Sequence, residues 1–319
     1  MKRKHKLGDP LISIVIPAFN EARGIQAAIG TVDEIVANEF EGYEILVVDD
    51  GSKDDTCEKI RELACKNPSI KLIKLTKNFG KEAALVAGLR KSRGQVVVVL
   101  DSDLQHPPSL ILDMYQIWKT RGVKVVNGVK KERQQEGFFK RVSAASFYAL
   151  MKTLTGSDLK NQTDFKLMDR EVVDRYVELP ENRRFFRGLI PWLGYSSENV
   201  YFSPDQRNAG TTGWSLPGLA KMGIMAICSF SSLPMQGVTL LGCATFLASI
   251  VMGIHTIGMK LTGQAVEGFA TVILLLLFVG SVIMISLGII GQYISMIYHE
   301  VKRRPGYLIE QTVNIDETE

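Results

Sequence analysis

Short apolar runs alternate with longer amphipathic stretches in the first part of the chain. The apolar runs predict five β-strands, at residues 11–17, 43–50, 70–76, 95–101 and 123–129. The stretches between them predict four helices, at residues 21–38, 56–66, 81–92 and 108–120. This alternation is typical of an α/β domain with a mainly parallel sheet, in which ligands bind outside the carboxyl ends of the strands.

The pattern changes in the last third of the chain, which is apolar and almost uncharged. Residues 222–259 and 269–291 contain no Asp, Glu, Lys or Arg. Each segment is long enough to cross a hydrocarbon core of about 30 Å. We therefore predict two transmembrane helices, at residues 233–258 and 268–298, which form a hairpin.

Basic residues beside these segments predict their orientation. Lys302, Arg303 and Arg304 follow the second helix, whereas the hairpin loop carries one basic residue, Lys260. Because Lys and Arg are enriched on the cytoplasmic side of membranes, we expect both termini in the cytoplasm. Residues 1–10 are basic but no apolar segment accompanies them, so we expect no signal peptide. These features together predict an integral protein of the inner (cytoplasmic) membrane.

The charge distribution separates a polar domain from the membrane part. Of the 38 Lys and Arg residues in the 319-residue chain, only four lie in residues 222–319. The parts that we predict are a basic tail (1–10), the α/β domain (11–213), a juxtamembrane interfacial helix (214–232), the two transmembrane helices, and a cytoplasmic tail (299–319).

Acidic residues stand where the predicted strands end. Asp101 and Asp103 follow the apolar run of the fourth strand, and Asp49 and Asp50 end the second. Two carboxylates one residue apart can face a single point, and hard oxygen ligands suit Mg²⁺ or Mn²⁺. Such an ion would neutralise a diphosphate leaving group.

Some of these residues have a second interpretation that is purely structural. Asp49 and Asp50 either form a capping turn or accept hydrogen bonds from the base or ribose of a nucleotide. Glu21 either contacts a ligand or is an acidic residue favoured at a helix N-terminus. Neither G-x-G-x-x-G nor G-x-x-x-x-G-K-[ST] occurs, so NAD and P-loop nucleotides are not expected. The four cysteines lack C-x-x-C spacing and support no zinc or redox motif.

Four segments together resemble family 2 glycosyltransferases. They are the runs VIPAFNE, VDDGSKDDT, NFGK and LDSDLQHPP, at residues 15–21, 48–56, 78–81 and 100–108. More narrowly, they resemble the polyprenyl-phosphate glycosyltransferases, a group that includes dolichol-phosphate mannose synthases and bacterial bactoprenol glucosyltransferases. Residues 291–307 are similar to the tail of the two-helix bacterial members, so the resemblance covers nearly the whole chain.

The resemblance implies a GT-A fold, which is a Rossmann-like α/β fold, a nucleotide-sugar donor and an inverting transfer to a lipid phosphate. The residues assigned to the nucleotide-sugar are Pro17, Glu21, Asp49, Asp50 and Asp101. The resemblance also implies a metal, Mg²⁺ or Mn²⁺, on Asp101, Asp103 and Gln105. The residues assigned to catalysis are Asp103 and Asp164, and Asp164 falls on the acceptor-side aspartate of the family.

Two segments depart from the pattern of the family. Residues 162–163 are Gln-Thr, whereas the family commonly has a glycine-containing sequence before the aspartate. Arg207 begins a segment similar to the motif R-x-x-G-x-S-K, and residues 212–213 are Thr-Gly in place of Ser-Lys.

The acceptor phosphate and the donor are both anions, so cations are needed near the acceptor. The candidates after the fifth predicted strand are Lys130, Lys131, Arg133, Lys140 and Arg141. We predict that the acceptor phosphate binds Arg133, Lys140, Arg141 and Arg207. The amphipathic residues 138–154 form either a core helix or an interfacial helix.

We therefore expect transfer of a hexose to undecaprenyl phosphate at the cytoplasmic membrane face. The favoured donor is UDP-glucose, and the alternatives are another UDP-sugar or GDP-mannose. The expected partners are the nucleotide-sugar, the polyprenyl phosphate and the bilayer, without nucleic acid, and a homo-oligomer stays open. A processive polysaccharide synthase is a competing enzymatic interpretation, although residues 183–187 do not match its Q-x-x-R-W motif. Two further classes of protein are a non-catalytic membrane scaffold and a lipid flippase, the latter disfavoured by two uncharged helices.

Overall fold

The computed structural model describes residues 12–131, 162–181, 184–203, 233–262, 268–302 and 304–315. The chain divides into two units, one of Met1–Gly213 with Pro305–Glu319 and one of Trp214–Arg304. Three segments of the sequence prediction lie outside the described residues: the basic tail, the amphipathic residues 138–154 and the juxtamembrane residues 214–232.

One sheet forms the framework of the first unit. Its strands are β1 (Ile12–Ala18), β2 (Tyr43–Asp49), β3 (Ile70–Leu75), β4 (Val96–Val99), β5 (Val125–Lys130), β6 (Gln162–Asp169), β7 (Ser197–Phe202) and β8 (Ile309–Val313). They lie in the order β7-β5-β6-β4-β1-β2-β3-β8. The pairs β1–β2, β1–β4, β2–β3 and β5–β7 are parallel, and the other three pairs are antiparallel. The sheet is therefore mixed and mostly parallel.

Helices cover both faces of this sheet. They are α1 (Ile25–Glu39), α2 (Thr56–Lys66), α3 (Lys81–Lys91), α4 (Leu110–Arg121), α5 (Arg170–Glu178) and α6 (Phe186–Trp192). α1, α2 and α4 contribute buried side chains to a large apolar core on one face. α3 packs on the other face, where a Cβ on Gly88 would lie 2.5 Å from Val15 Cγ1. Only glycine permits this close approach, so α3 is held firmly against β1.

All five predicted strands and all four predicted helices occur, with ends shifted by a few residues. Strands of continuous Ile and Val, buried on both faces, are readily recognised in a sequence; every residue of β1 and β4 is buried. α1 shows the largest shift. It begins at Ile25 because residues 21–24 form a turn in which the Glu21 carbonyl accepts the N–H groups of Gly24 and Ile25.

Three strands had no counterpart in the sequence prediction. β6 begins with Gln-Thr-Asp, β7 alternates exposed and partly buried residues up to a buried Phe202, and β8 is the mostly polar IEQTV, so none of the three has a long continuous apolar run. β8 lies within residues 299–319, which the sequence pattern assigned to a tail. Its pairing with β3 makes residues 309–313 an edge strand of the sheet instead.

Side-chain hydrogen bonds reinforce the attachment of β8. Asn314 follows the strand with φ +59°, and its Nδ2 donates to the carbonyls of Ala64 (2.7 Å) and Ile70 (2.9 Å). The Thr76 N–H donates to the Leu308 carbonyl (3.0 Å). The chain therefore returns to the sheet after the apolar helices and covers the edge of β3, which would otherwise present unpaired backbone groups.

The second unit contains two long apolar helices, α7 (Leu233–Leu261) and α8 (Phe269–Val301), which contact each other. Each contains a stretch that is long and apolar enough to span a bilayer, Met235–Met259 and Phe278–Ser295. These helices include most of the residues in the two segments, 233–258 and 268–298, that the sequence predicts to be transmembrane, and their crossing of a membrane stays a prediction.

Candidate active site

The loops that follow β1 and β2 are joined by hydrogen bonds at the carboxyl edge of the sheet. Asn20 donates its N–H to Ser52 Oγ (2.9 Å) and accepts the Lys53 N–H at Oδ1 (2.8 Å). The Ala22 N–H donates to Asp54 Oδ2 (3.1 Å). Asn20 has φ +55°, a left-handed conformation that asparagine tolerates better than most residues. The two loops thus form one cross-linked rim.

Asp50 holds the segment that leads into α3. Its Oδ1 accepts the Phe79 N–H (2.7 Å) and its Oδ2 accepts the Gly80 N–H (2.8 Å). Burial raises the pKa of Asp50 and outweighs the opposing effect of these two hydrogen bonds. Because α3 begins at Lys81, Asp50 positions the first turn of this helix. Each carboxylate oxygen still has a second lone pair, so the predicted contact with a nucleotide is compatible with this structural task.

Asp49 is fully buried, and its two carboxylate oxygens differ in their hydrogen bonding. Its Oδ1 accepts the Ser52 N–H (3.1 Å), whereas its Oδ2 has no hydrogen-bond partner among the described residues. Burial raises the pKa of Asp49 above its ordinary value. Gly51, the second residue after it, has φ +69°, and a Cβ there would lie 2.4 Å from the carbonyl carbon of Lys77. Glycine is therefore required where the loop after β2 passes the segment after β3.

Lys81 joins the two sets of acidic residues that the sequence singled out. Its Nζ lies 2.6 Å from Asp101 Oδ1, at the end of β4, and 2.8 Å from Asp164 Oδ2, on β6. β4 and β6 are antiparallel neighbours with Val99 opposite Lys166, so residues 101 and 164 come together just beyond this pair. The geometry therefore brings the predicted donor-side and acceptor-side aspartates to one ammonium group.

Asp164 has a second cationic partner. Arg187, in the first turn of α6, places Nε 3.2 Å from Asp164 Oδ1 and a terminal nitrogen 3.2 Å from Oδ2. Burial by itself would raise the pKa of Asp164, but Lys81 and Arg187 outweigh it and hold this pKa well below the ordinary value. Asp164 is therefore ionised at any physiological pH, and both of its oxygens are engaged.

Two further ionisable groups lie beside this ion-pair network: Glu82, which is partly buried, and Lys166, which is fully buried. Burial, assisted by the charge of Asp164, raises the pKa of Glu82 to about 7. Burial lowers the pKa of Lys166 to about 7. Lys166 Nζ donates to Asn127 Oδ1 (2.6 Å) and Gln162 Oε1 (3.1 Å), which replaces the water that the ammonium group loses.

The loop after β4 carries the predicted metal ligands. Asp103 Oδ1 accepts the Gln105 N–H (3.1 Å), and Gln105 Oε1 lies 3.5 Å from Lys130 Nζ. Leu104 between them has φ +53°, which is rare for a residue with a branched side chain and costs about 1–3 kcal/mol. Strain of this size concentrates at functional loops.

The donor chemistry of this loop fits a hard divalent ion. Asp101, Asp103 and Gln105 offer two carboxylates and one amide oxygen, and Asp101 already faces a cation, the ammonium group of Lys81. Within the described part of the chain, no three His, Cys, Asp or Glu side chains form a metal-binding group. Two carboxylates completed by substrate phosphates are the usual arrangement for Mg²⁺, so the protein set is sufficient for a metal that arrives with a diphosphate.

Of the remaining predicted site residues, two lie in the described structure and four lie outside it. Pro17 is buried in β1, opposite Val48 of β2. The N–H of Glu21 donates to Thr56 Oγ1 (2.8 Å), so this residue begins the turn into α1 beside the N-terminus of α2. The predicted ligands of the acceptor phosphate lie outside the described residues: Arg133, Lys140, Arg141 and Arg207.

Sequence reasoning missed the cations that hold Asp164. Lys81 was part of a recognised run, NFGK, but received no role, and Arg187 lay in a segment that matched no motif. A signal for Lys81 was present, because a cation in the first turn of a helix opposes the helix dipole and calls for a nearby anion. Arg187 and Glu82 gave no comparable signal, since their contacts depend on tertiary packing.

The mixed, mostly parallel sheet with helices on both faces is similar to solved structures of the GT-A fold. A crystal structure of glucosyl-3-phosphoglycerate synthase from Mycobacterium tuberculosis, in complex with Mn²⁺, UDP and phosphoglyceric acid, matches with a TM-score of 0.52 and 23% identity. The match covers 69% of this chain and 76% of that one. The fold is therefore GT-A, as the resemblance implied.

The family model for glycosyl transferase family 2 matches residues 13–177, and the chain belongs to this family. It is a glycosyltransferase. A prophage bactoprenol glucosyl transferase homolog of Escherichia coli is 35% identical over 305 residues, which cover 94% of this chain and 98% of the relative. The bactoprenol glucosyl transferase of Shigella phage SfX is 37% identical over 307 residues, with the same coverages. The uncharacterized glycosyltransferase YkcC of Bacillus subtilis is 36% identical over 310 residues, which cover 95% and 94%.

Proposed function

We propose that this chain transfers a hexose, with UDP-glucose as the favoured donor, to a polyprenyl phosphate such as undecaprenyl phosphate. The observation that carries the proposal is the contact of one ammonium group, Lys81 Nζ, with both Asp101 and Asp164. It brings the predicted donor half and the predicted acceptor half of the site within a few ångströms of each other. Relatives named bactoprenol glucosyl transferases, which align over nearly their full length, support this acceptor.

The proposed reaction is a single displacement with inversion at the anomeric carbon. An oxygen of the acceptor phosphate forms a bond to the anomeric carbon of the sugar, and the bond from this carbon to the diphosphate oxygen breaks. The second pKa of a phosphate monoester is about 6, so the nucleophile is already mostly ionised at neutral pH. The step therefore needs little help from a general base.

Asp164 suits a positioning role in this reaction better than a role as a base. Its depressed pKa makes it a poor proton acceptor, and its two oxygens hold Lys81 and Arg187. These cations would reduce the repulsion between the acceptor phosphate and the donor diphosphate. The acceptor cations predicted from the sequence, Arg133 and Arg141 among them, would add to this charge.

Asp101, Asp103 and Gln105 would hold a divalent metal, Mg²⁺ or Mn²⁺. When bound, such a metal neutralises the charge that develops on the leaving diphosphate. The Mn²⁺ in the complex of the mycobacterial synthase, which shares the fold, supports a divalent metal as the cofactor.

The apolar helices α7 and α8 would anchor the enzyme in the cytoplasmic membrane as a hairpin, with both termini in the cytoplasm. Their length and composition support this, and so does a lipid acceptor, whose phosphate lies at the membrane surface. A reporter fused after Glu319 that reads on the outer side of the membrane would contradict the orientation.

A donor panel tests the proposed function. The purified full-length protein is incubated with undecaprenyl phosphate, Mn²⁺ or Mg²⁺, and one of UDP-glucose, UDP-N-acetylglucosamine or GDP-mannose, and lipid-linked product is measured. We expect product with a UDP-hexose, most with UDP-glucose. Absence of lipid-linked product with every donor, from a preparation that binds UDP, would contradict the proposal.

A further inference from the structure

The short helix α6 lacks a capping side chain of its own. It has seven residues, contains Pro191, and is preceded by Phe185, which makes no side-chain capping hydrogen bond. The first N–H groups of any helix need partners from outside the helix. Here the Phe186 N–H donates to Glu82 Oε2 (3.0 Å), a carboxylate from the first turn of α3. An acceptor 104 residues away in the sequence thus caps α6.

The capped turn carries the arginine that binds Asp164. Arg187 immediately follows Phe186, and its guanidinium lies 3.2 Å from both oxygens of Asp164. A helix of seven residues has little stability of its own, so its direction depends on tertiary contacts. α3, by contrast, is held closely against β1 at Gly88. The contact with Glu82 therefore ties a weak element to a firm one, next to the functional arginine.

The charged groups around Glu82 favour its role in holding Arg187 in place. Within the described residues, it faces Lys81 from its own helix, Asp164 from β6, Arg187 from α6 and Tyr176 from α5. A negative charge here attracts both cations of the network, although burial opposes its ionisation. A neutral residue could cap α6 but could not attract Arg187.

We propose that Glu82 is a positioning residue, which caps α6 and thereby aligns Arg187 with Asp164 on the acceptor side of the site. This inference rests on the proposed function for its kinetic consequences, whereas its structural consequence, the fixed start of α6, is independent of the substrate. Glu82 does not touch the reacting atoms in this account.

Two variants at Glu82 and one matched control test the proposal. Glu82→Met removes the cap and the charge, and Glu82→Gln keeps an accepting oxygen but removes the charge. Glu58→Gln is the control, because Glu58 also lies in the first turn of a helix, pairs with an arginine, and is outside the site. For Glu82→Met we expect kcat/KM for undecaprenyl phosphate to fall about 10- to 100-fold, since small misplacements of a positioning group have effects of this size.

Two further measurements make the test specific: the KM for the donor, and the activity of a double variant that also changes Arg187. The KM for UDP-glucose should stay within about twofold of wild type in Glu82→Met, and Glu82→Gln should lose less activity than Glu82→Met. The loss in the double variant Glu82→Met/Arg187→Met should not exceed that of Arg187→Met alone, because residues that act through one contact are not additive. Additive losses, or wild-type acceptor kinetics in Glu82→Met, would overturn the inference.

Hydrogen exchange separates this inference from the proposed function. In the full-length protein, Glu82→Met should increase amide exchange in residues 184–192, whereas Glu58→Gln should not. Unchanged exchange in Glu82→Met would overturn the positioning role, whatever the substrate is. If Glu82→Met increases exchange in residues 184–192 but the wild-type protein makes no lipid-linked product from any donor, the positioning role stands and the proposed acceptor is refuted.

Discussion

Lys81 Nζ and Asp164 Oδ2 lie 2.8 Å apart, and this contact joins the first turn of α3 to β6. The same nitrogen lies 2.6 Å from Asp101 Oδ1. A lysine at the start of a helix is unfavourable for the helix dipole, and here two carboxylates compensate for it. Burial opposes the charge of Lys81, but Asp101 and Asp164 outweigh it and raise the pKa of this lysine, which is charged throughout the physiological range. It is the point at which the two halves of the proposed site meet.

Lys81→Met should lower kcat/KM by about 100-fold or more, because removal of one charged stabiliser from an active site typically costs about 10²–10³ in rate. Lys81→Arg should retain part of the activity, since the charge remains. The measurement is the steady-state rate of lipid-linked product formation. Lys91→Met, at the other end of α3, is the matched control, and an equal loss in that variant would show that the effect is not specific to the site.

Asp164→Asn tests whether this aspartate positions cations or accepts a proton. We expect a loss of about 10²–10⁴-fold at pH 7.5, a range that a general base would also give. The two roles differ in their pH dependence. If Asp164 holds Lys81 and Arg187, raising the pH from 6 to 9 restores little activity in the variant. A steep rise towards the wild-type rate would show instead that the lost function was proton removal from the phosphate.

The partly buried carboxyl of Glu82 predicts a dependence of stability on pH. Its pKa is about 7 in the folded protein and near 4.5 when unfolded, so the folded state binds the proton more tightly. The resulting stabilisation is fully present below the unfolded pKa and is lost as the pH rises through 7. The side chain in the Glu82→Gln variant cannot ionise, so the variant does not lose this stabilisation. The difference in Tm, variant minus wild type, should therefore increase by a few degrees between pH 5 and pH 8.

The measurement for this third prediction is thermal unfolding of the full-length protein in detergent at several pH values. Glu58→Gln serves as the reference, because Glu58 is an exposed residue. A constant difference in Tm between Glu82→Gln and wild type across this range would mean that Glu82 titrates normally.

Asn314 provides a test of the returning C-terminal strand. Asn314→Ala removes two hydrogen bonds, to the carbonyls of Ala64 and Ile70, and places alanine at φ +59°, where asparagine is better tolerated. Each hydrogen bond contributes about 0.5–1.5 kcal/mol, so Tm should fall by several degrees. The matched variant is Thr312→Ala in β8. If both variants keep the wild-type Tm, β8 does not contribute to the stability of the sheet.

Most of the fold follows from the sequence because its central strands are continuous apolar runs. β1 to β5 and α1 to α4 were all predicted, since burial on both faces gives parallel strands a strong hydrophobic signal. β6 and β8 lacked this signal because they lie at positions where polar residues face the site or the solvent. β8 also follows the apolar helices in sequence, so nothing local indicates that it pairs with β3.

Of the residues that meet around Lys81, the sequence singles out the two carboxylates, Asp101 and Asp164, but not the cations that pair with them. Asp101 and Asp164 belong to recognisable motifs, and the sheet brings them together. Their partners come from elsewhere: Lys81 lies 83 residues from Asp164, and Glu82 lies 104 residues from the N–H that it accepts. Contacts over such separations depend on how α3 and α6 pack on the sheet, which local sequence patterns do not determine.

The decisive measurement is the transfer of radiolabelled glucose from UDP-glucose to undecaprenyl phosphate by the purified full-length protein. The wild-type protein should form an organic-soluble, glucose-labelled lipid in the presence of Mn²⁺ or Mg²⁺. Asp103→Asn should lose about 3–4 kcal/mol of transition-state stabilisation, a fall of several hundredfold, while it still folds. No labelled lipid from the wild-type protein, or undiminished labelling by Asp103→Asn, would contradict the account.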